Sequence, residues 1–235
     1  MVVLGSNRSS NWSGYNIGSL SRGELFHSIG GNWRVPRATQ HKKGEAEDSS
    51  TWIGIGGGCA DSGCAVTDPT LIQEGTEQDV GKKGGTHYYA WWEVIPAPGF
   101  TVTPLKIHPG DRIHASIAEV VPNSNVWRMT MRNRTTGGSW SQTIPYTSTH
   151  DTAEWIEETP IVLGPDQTGV ALMPNLSMLR FDHATVNGIP AKFRRGQRIY
   201  LVDQGHIATP SAPDPDHDGF NDCTYASSCP APRTS

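Results

Sequence analysis

In the stretch DTAEWIEETP, residues 151–160, three glutamates surround a Trp-Ile pair. Carboxylates held at a suitable pKa take a proton from water and give it back, which is general acid–base chemistry. At the two-residue period of a strand, Glu154, Ile156 and Glu158 share one face, while Trp155, Glu157 and Thr159 share the other. The stretch is therefore expected to offer two carboxylates on one side and a solvated one, Glu157, opposite. The rival reading is an edge strand decorated with charge against aggregation. A second group lies in YYAWWEVIP, where Tyr89, Trp91 and Glu93 share a strand face, and STWIGIGG adds Trp52. Aromatics beside an acid are ordinary core packing, or the lining of a cleft that holds an extended polymer, peptide or sugar.

Other chemistry finds no foothold. The sequence has no GxSxG elbow, HExxH pair, phosphate-binding loop or GxGxxG after a strand, and its nine histidines are scattered. One metal motif stands out. DPDHDGFND sets Asp214, Asp216, Asp218 and Asp222 in a D-x-D-x-D-G-x-x-D array, whose alternating oxygens suit calcium. Tyr225 stands where an EF-hand loop carries its bidentate glutamate. A structural calcium clamp and a merely solvated acidic tail both stay open. No cofactor is expected for catalysis.

The elements that must position these groups are strands. The 235 residues include 26 glycines, 17 prolines and eight tryptophans, only 18% are charged, and no sustained helical period appears. Segments of alternating or β-branched and aromatic residues recur between turn signals. Residues 127–131 and 139–143 flank Thr135-Thr136-Gly137-Gly138 as a hairpin. The expected fold is all-β, an antiparallel β-sandwich. Residues 1–8 are expected to be a disordered or processed segment, 9–206 the sandwich, and 207–235 a Pro/Asp-rich tail. Two long loops, Arg37 to Ser50 and Gly56 to Thr70, are candidate rims of a site.

A net charge of −4 gives no reason to expect nucleic acid, and no apolar run is long enough to span a membrane. Cys59/Cys64 and Cys223/Cys229 form two closely spaced pairs, as expected of small disulfide loops in a secreted protein; zinc is the rival, but neither spacing is CxxC. Asn7, Asn11, Asn133 and Asn175 stand in N-x-S/T sequons.

The residues resemble the glutamic peptidases, or eqolisins, through five motifs in order. SSNWSGY at Ser9–Tyr15 looks like the start of the mature enzymes; TWIGIGG resembles W-V-G-I-D-G, LIQEG resembles L-x-Q-T-G, YAWWEVIP resembles A-W-Y-E-W-x-P, and AEWIEE resembles A-E-W-I-x-E. The resemblance implies a concanavalin-like jelly roll of two curved sheets with a concave active face. It implies Gln73 and Glu158 as catalytic residues, and Trp52, Trp91 and Glu93 as substrate-binding ones. Glu154 would be a buried supporting partner of Glu158, and Glu157 would look away. The activity implied is a secreted, monomeric, acid-acting endopeptidase on polypeptides. Gly56 and Tyr89 replace two acids of the fungal motifs, so the cleft is expected to hold fewer acids and a very low pH optimum is not. Glu74, beside Gln73, would raise the pKa of Glu158 if it pointed inward. Two other classes remain: a glycoside hydrolase using Glu93 and Glu158, whose acids should stand about 5 to 9.5 Å apart, and a non-catalytic carbohydrate- or protein-binding module.

Overall fold

The structure is a computed structural model that describes residues 1–163, 168–203 and 205–233. Strands begin at the first residues: β1 (Val3–Gly5), β2 (Arg8–Ser9) and β3 (Trp12–Gly18) precede the single-turn α1 (Ser19–Arg22). Then come β4 (Ser28–Arg34), β5 (Ala38–Thr39), β6 (Glu47–Gly56), β7 (Leu71–Val80), β8 (Thr86–Val94) and β9 (Phe100–Thr101). The β10 (Arg112–Glu119), β11 (Val126–Asn133), β12 (Ser139–Pro145) and β13 (Thr152–Glu158) strands follow. The last third contributes β14 (Ile161–Leu163), β15 (Thr168–Val170), β16 (Asn175–Leu176), β17 (Leu179–Val186), β18 (Ile189–Pro190), β19 (Arg198–Val202), β20 (His206–Pro210) and β21 (Phe220–Thr224).

These strands make two antiparallel layers, as the alternating sequence predicts. One layer runs β19–β3–β13–β6–β7–β8–β9. The other runs β12–β11–β10–β4–β17–β21–β20, and β19 joins the two by pairing with β20 as well as β3. Residues facing inward from both layers form the core, among them Ile17, Ile53, Ile72 and Trp155 from the first and Ile113, Ile117, Met129 and Phe181 from the second. Strand β10 shows the pattern plainly, its buried and partly buried residues alternating from Ile113 to Glu119.

The ends of the chain are built into this frame. Residues 1–8 are not a disordered appendage, because β1 and β2 pair with each other and β2 runs parallel to β19. The stretch after 206 is not a tail: β20 pairs with β21, and β21 adds to β17, burying Phe220 in the core. Residues 234 and 235 of that expected tail lie outside the described residues. Both cysteine pairs are disulfides. The expected loop from 37 to 50 is partly strand, since β6 already starts at Glu47.

Trp155 shows what fixes β13 in register. Its indole is fully buried against Phe193, and its N–H donates to the Gly30 carbonyl of the opposite layer at 3.0 Å. Trp155→Ala should destabilise the fold by about 3–5 kcal/mol, measured by urea denaturation, since it leaves both a cavity and an unpaired carbonyl.

Candidate active site

The registers of the first layer place the candidate residues on one grid. Across β3, β13, β6, β7 and β8, one row reads Trp12, Glu158, Ser50, Glu77, Tyr89; the next reads Gly14, Ile156, Trp52, Gly75, Trp91; the third reads Asn16, Glu154, Gly54, Gln73, Glu93. Alternation puts all three rows on the face turned away from the core. Gln73 and Glu158 therefore share a surface, two strands apart, roughly 10 Å between strand axes. Both line a cleft of about 880 Å³, together with Asn11, Trp91, Glu93 and Glu77.

Glu158 is gripped from two sides. Asn11 donates its amide to Oε1 at 3.0 Å, and the Trp52 indole donates to Oε2 at 2.8 Å. Burial pushes the Glu158 carboxyl up to about 7, against the Met1 ammonium and the Trp12 and Trp52 indoles, while Glu93 adds a smaller upward push. Gln73 donates Nε2 to Glu93 Oε2 at 2.7 Å, and its own carbonyl oxygen is buried without a partner. An ionised Glu93 thus fixes which way round the Gln73 amide sits, because a flipped amide would set oxygen against oxygen.

Several expectations are corrected. Trp52 is fully buried and lies under the floor, packed edge-on against Trp12 at 4.8 Å between ring centroids; it holds Glu158 rather than touching a ligand. Gly75, its cross-strand neighbour, leaves room for it: a Cβ there would come within 2.5 Å of both Trp52 Cβ and the Thr51 carbonyl oxygen. Trp91 and Glu93 do face the cleft. Glu74 points away from it, accepting the Ser116 amide at 3.0 Å in the interior, so it does not act on Glu158. Glu157 looks away, as the resemblance implies, but it is buried rather than solvated, taking the Thr51 hydroxyl at 2.5 Å. Glu154 is buried as expected, though both of its oxygens lack a hydrogen-bond partner.

The cleft is not poor in acids. Glu77, Asp79 and Asp48 line it beside Tyr89, and burial raises the Glu77 carboxyl well above its usual range, with Asp79 adding to the effect. Glu77 was findable from the sequence, since it stands two alternations beyond Gln73 on the same strand face. Asn11 was not, because nothing local connects it with a glutamate so far along the chain. As for the long loops, Thr67, Asp68 and Pro69 of the second line the cleft, whereas in the first stretch the lining residues Asp48 and Ser50 belong to β6.

The Asp array splits. Asp214 and Asp218 converge with Asp182 of β17, ligand atoms within 4.8 Å of one another. Asp222 instead turns into the interior, where the Ser13 hydroxyl donates to it at 2.7 Å. Alternation along β21 explains this, because Phe220 and Asp222 share a face. Asp216 is the exposed member and falls outside the converging trio. Asp182 lies outside the motif and no spacing rule pointed to it.

The profile of the Peptidase A4 family matches residues 10–214. The chain belongs to that family. It is a peptidase of the glutamic, or eqolisin, group singled out by the motifs. Scytalido-glutamic peptidase, solved with a peptide-based transition-state analogue, is similar over 92% of this chain and 98% of its own, at 18% identity and a TM-score of 0.65. An eqolisin-family peptidase, SCP-B, in complex with the tripeptide Ala-Ile-His covers the same shares at 18% identity and a TM-score of 0.62. Aspergilloglutamic peptidase from Aspergillus niger matches over 76% of this chain and 99% of its own, at 22% identity and a TM-score of 0.57. No curated protein matches the chain. At these identities the structures establish the sandwich.

The buried acids of this Peptidase A4 member carry a consequence for stability. Desolvation pushes Glu74 up from 4.5 to about 8, against the amides of Ser116 and Thr130. Between those two values the folded chain keeps a proton that the unfolded chain has released. The contribution of Glu74 to stability is therefore greatest below pH ~4.5 and declines toward pH ~8, at about 1.4 kcal/mol per pH unit. Glu157, raised to about 8, and Asp222, raised to about 7, act with the same sign. The melting temperature should rise on acidification from about pH 8 to about pH 5. Glu74→Gln, an isostere of the protonated acid, should flatten that slope.

Proposed function

We propose that this peptidase cleaves internal peptide bonds with Glu158 and Gln73 as its catalytic pair. The supporting observation is that a carboxyl and a carboxamide from distant parts of the chain line one cleft, each held by a dedicated partner. Glu158 as carboxylate takes a proton from water, whose oxygen adds to the scissile carbonyl carbon. The Gln73 NH2, which keeps a second N–H beyond the one given to Glu93, donates to the oxyanion that forms. Collapse breaks the C–N bond as Glu158 returns its proton to the departing nitrogen. Trp91 and Glu93 contact the substrate; Trp52 positions Glu158. The glycosidase reading is disfavoured because Glu93 already serves the Gln73 amide. Export to an oxidising compartment fits the two disulfides.

On a denatured protein substrate, Gln73→Ala should lower kcat by about 10² to 10³, and Glu158→Gln should abolish turnover. With Glu158 raised to about 7, kcat/KM should climb through weakly acidic pH. Trp52→Phe removes a donor to the carboxylate and should move that limb to higher pH, which a purely structural role would not do. Cleavage retained by both dyad variants, or polysaccharide turnover without peptide turnover, sinks the assignment.

A structural calcium on Asp182, Asp214 and Asp218 is part of the same reading. Asp214 is 2% exposed, and its Oδ2 and Asp218 Oδ1 are buried without a donor. Oxygen-only ligands of this charge suit a hard cation. Calcium would tie the turn before β21 to β17. Calcium chloride should raise the melting temperature reversibly with a chelator, and Asp182→Asn should remove the shift.

A further inference from the structure

A second cluster of imidazole and carboxylate side chains lies at the end of the sandwich where three segments meet: the approach to β4, the end of β10, and the approach to β13. Each brings one residue, His27, Glu119 and His150. His27 Nδ1 is 2.6 Å from Glu119 Oε2, and His150 Nε2 is 3.4 Å from the same oxygen. The three ligand atoms all lie within 4.8 Å of one another. The two imidazole rings are 4.8 Å apart between centroids.

The backbone is shaped to hold them there. Glu119 takes the Asn125 amide on Oε1 and the Asn123 amide on Oε2, each at 2.7 Å, so the β10–β11 turn wraps around its carboxylate. Asn123, Asn125 and His150 all have positive φ, near 64°, 53° and 63°. Phe26 N–H donates to the His150 carbonyl, and Glu119 N–H donates to the His27 carbonyl, which ties all three segments together. The buried Trp127 ring lies 5.2 Å from the His150 ring.

This hydrogen bonding leaves one group unsatisfied. His150 is 7% exposed, and its Nε2 faces the Glu119 carboxylate at 3.4 Å, a long contact that makes no well-formed hydrogen bond. A buried imidazole nitrogen held at that distance from a carboxylate, with no well-formed hydrogen bond, calls for an explanation. We propose that His27, Glu119 and His150 form a binding site for a divalent transition metal ion of the zinc type. Two imidazole nitrogens and one carboxylate oxygen are a borderline-soft donor set that suits zinc over calcium or magnesium. Ligand atoms around a tetrahedral zinc stand about 3.3 Å apart, close to the His150 spacing, and His27 must open by under about 1 Å. The His27 side chain is 25% exposed, which leaves a solvent path for the ion and for a water as fourth ligand.

The site bridges the two layers, because β13 belongs to one and β4 and β10 to the other. Its role is a cross-link, distant from the cleft: Glu158 lies at the far end of β13. The experiment is isothermal titration of the folded, chelator-treated protein with zinc chloride near neutral pH, alongside thermal melts. One zinc per chain with a raised melting temperature is expected. His150→Ala and the milder His27→Gln should each weaken binding by more than about tenfold, with Asp182→Asn unaffected. Cobalt(II) should give the visible absorption of a four-coordinate site in wild type and lose it in His27→Gln. Absence of saturable one-to-one binding, or wild-type affinity in a folded His27→Gln protein, overturns the proposal.

Discussion

The active face depends on holding one carboxyl group partly out of water without leaving it unpaired. Glu158 sits on the cleft floor with a donor on each oxygen, Asn11 on one and the Trp52 indole on the other. Desolvation makes the ionised form costly and the donors make it attainable. The balance leaves a carboxyl that changes protonation near pH 7 instead of far below it. Both donors come from neighbours of β13, Asn11 just before β3 and Trp52 on β6, so the pairing of three adjacent strands decides the proton chemistry.

The second partner is set by the same sheet. Gln73 is on β7, where Gly54 faces it from β6 and Glu93 from β8. A glycine on one side and an acid on the other give the amide space and a fixed orientation. Behind the sheet, Ile53, Ile72 and Trp155 fill the space between the layers, and this packing lets the exposed face carry so many acids in fixed positions. The acids that the fungal motifs supply at two positions are absent here, yet Asp48, Glu77 and Asp79 gather in their place at one end of the cleft.

Much of this arrangement was legible because strand alternation is strict. The two faces of β13 and the aromatic-acid face of β8 follow from a period of two, and the turn residues 135–138 mark the β11–β12 hairpin. What alternation does not tell is whether the opposite face meets solvent or a second sheet. Alternation alone therefore reads Glu157 as solvated and leaves Glu74 open between cleft and interior. Both carboxyls turned out to sit in the core, each with a hydrogen bond. Composition misled at the ends, where Pro, Ser and Asp suggested a tail although Phe220 and Asp222 are the inward face of a strand. The contacts made by Asn11, Asp182 and the His27–Glu119–His150 group join segments remote in sequence, and only the tertiary fold brings them together.

Asn11 has a bearing on how the protein is best produced. It occupies an Asn-Trp-Ser acceptor sequence, yet in the folded chain it is 2% exposed and committed to Glu158. Oligosaccharide is transferred to such sequences in the secretory pathway of eukaryotic cells, with a preference for chains still being synthesised. A sugar attached there would take the amide away from the carboxyl. A bacterial host, which lacks that transfer, preserves the donor.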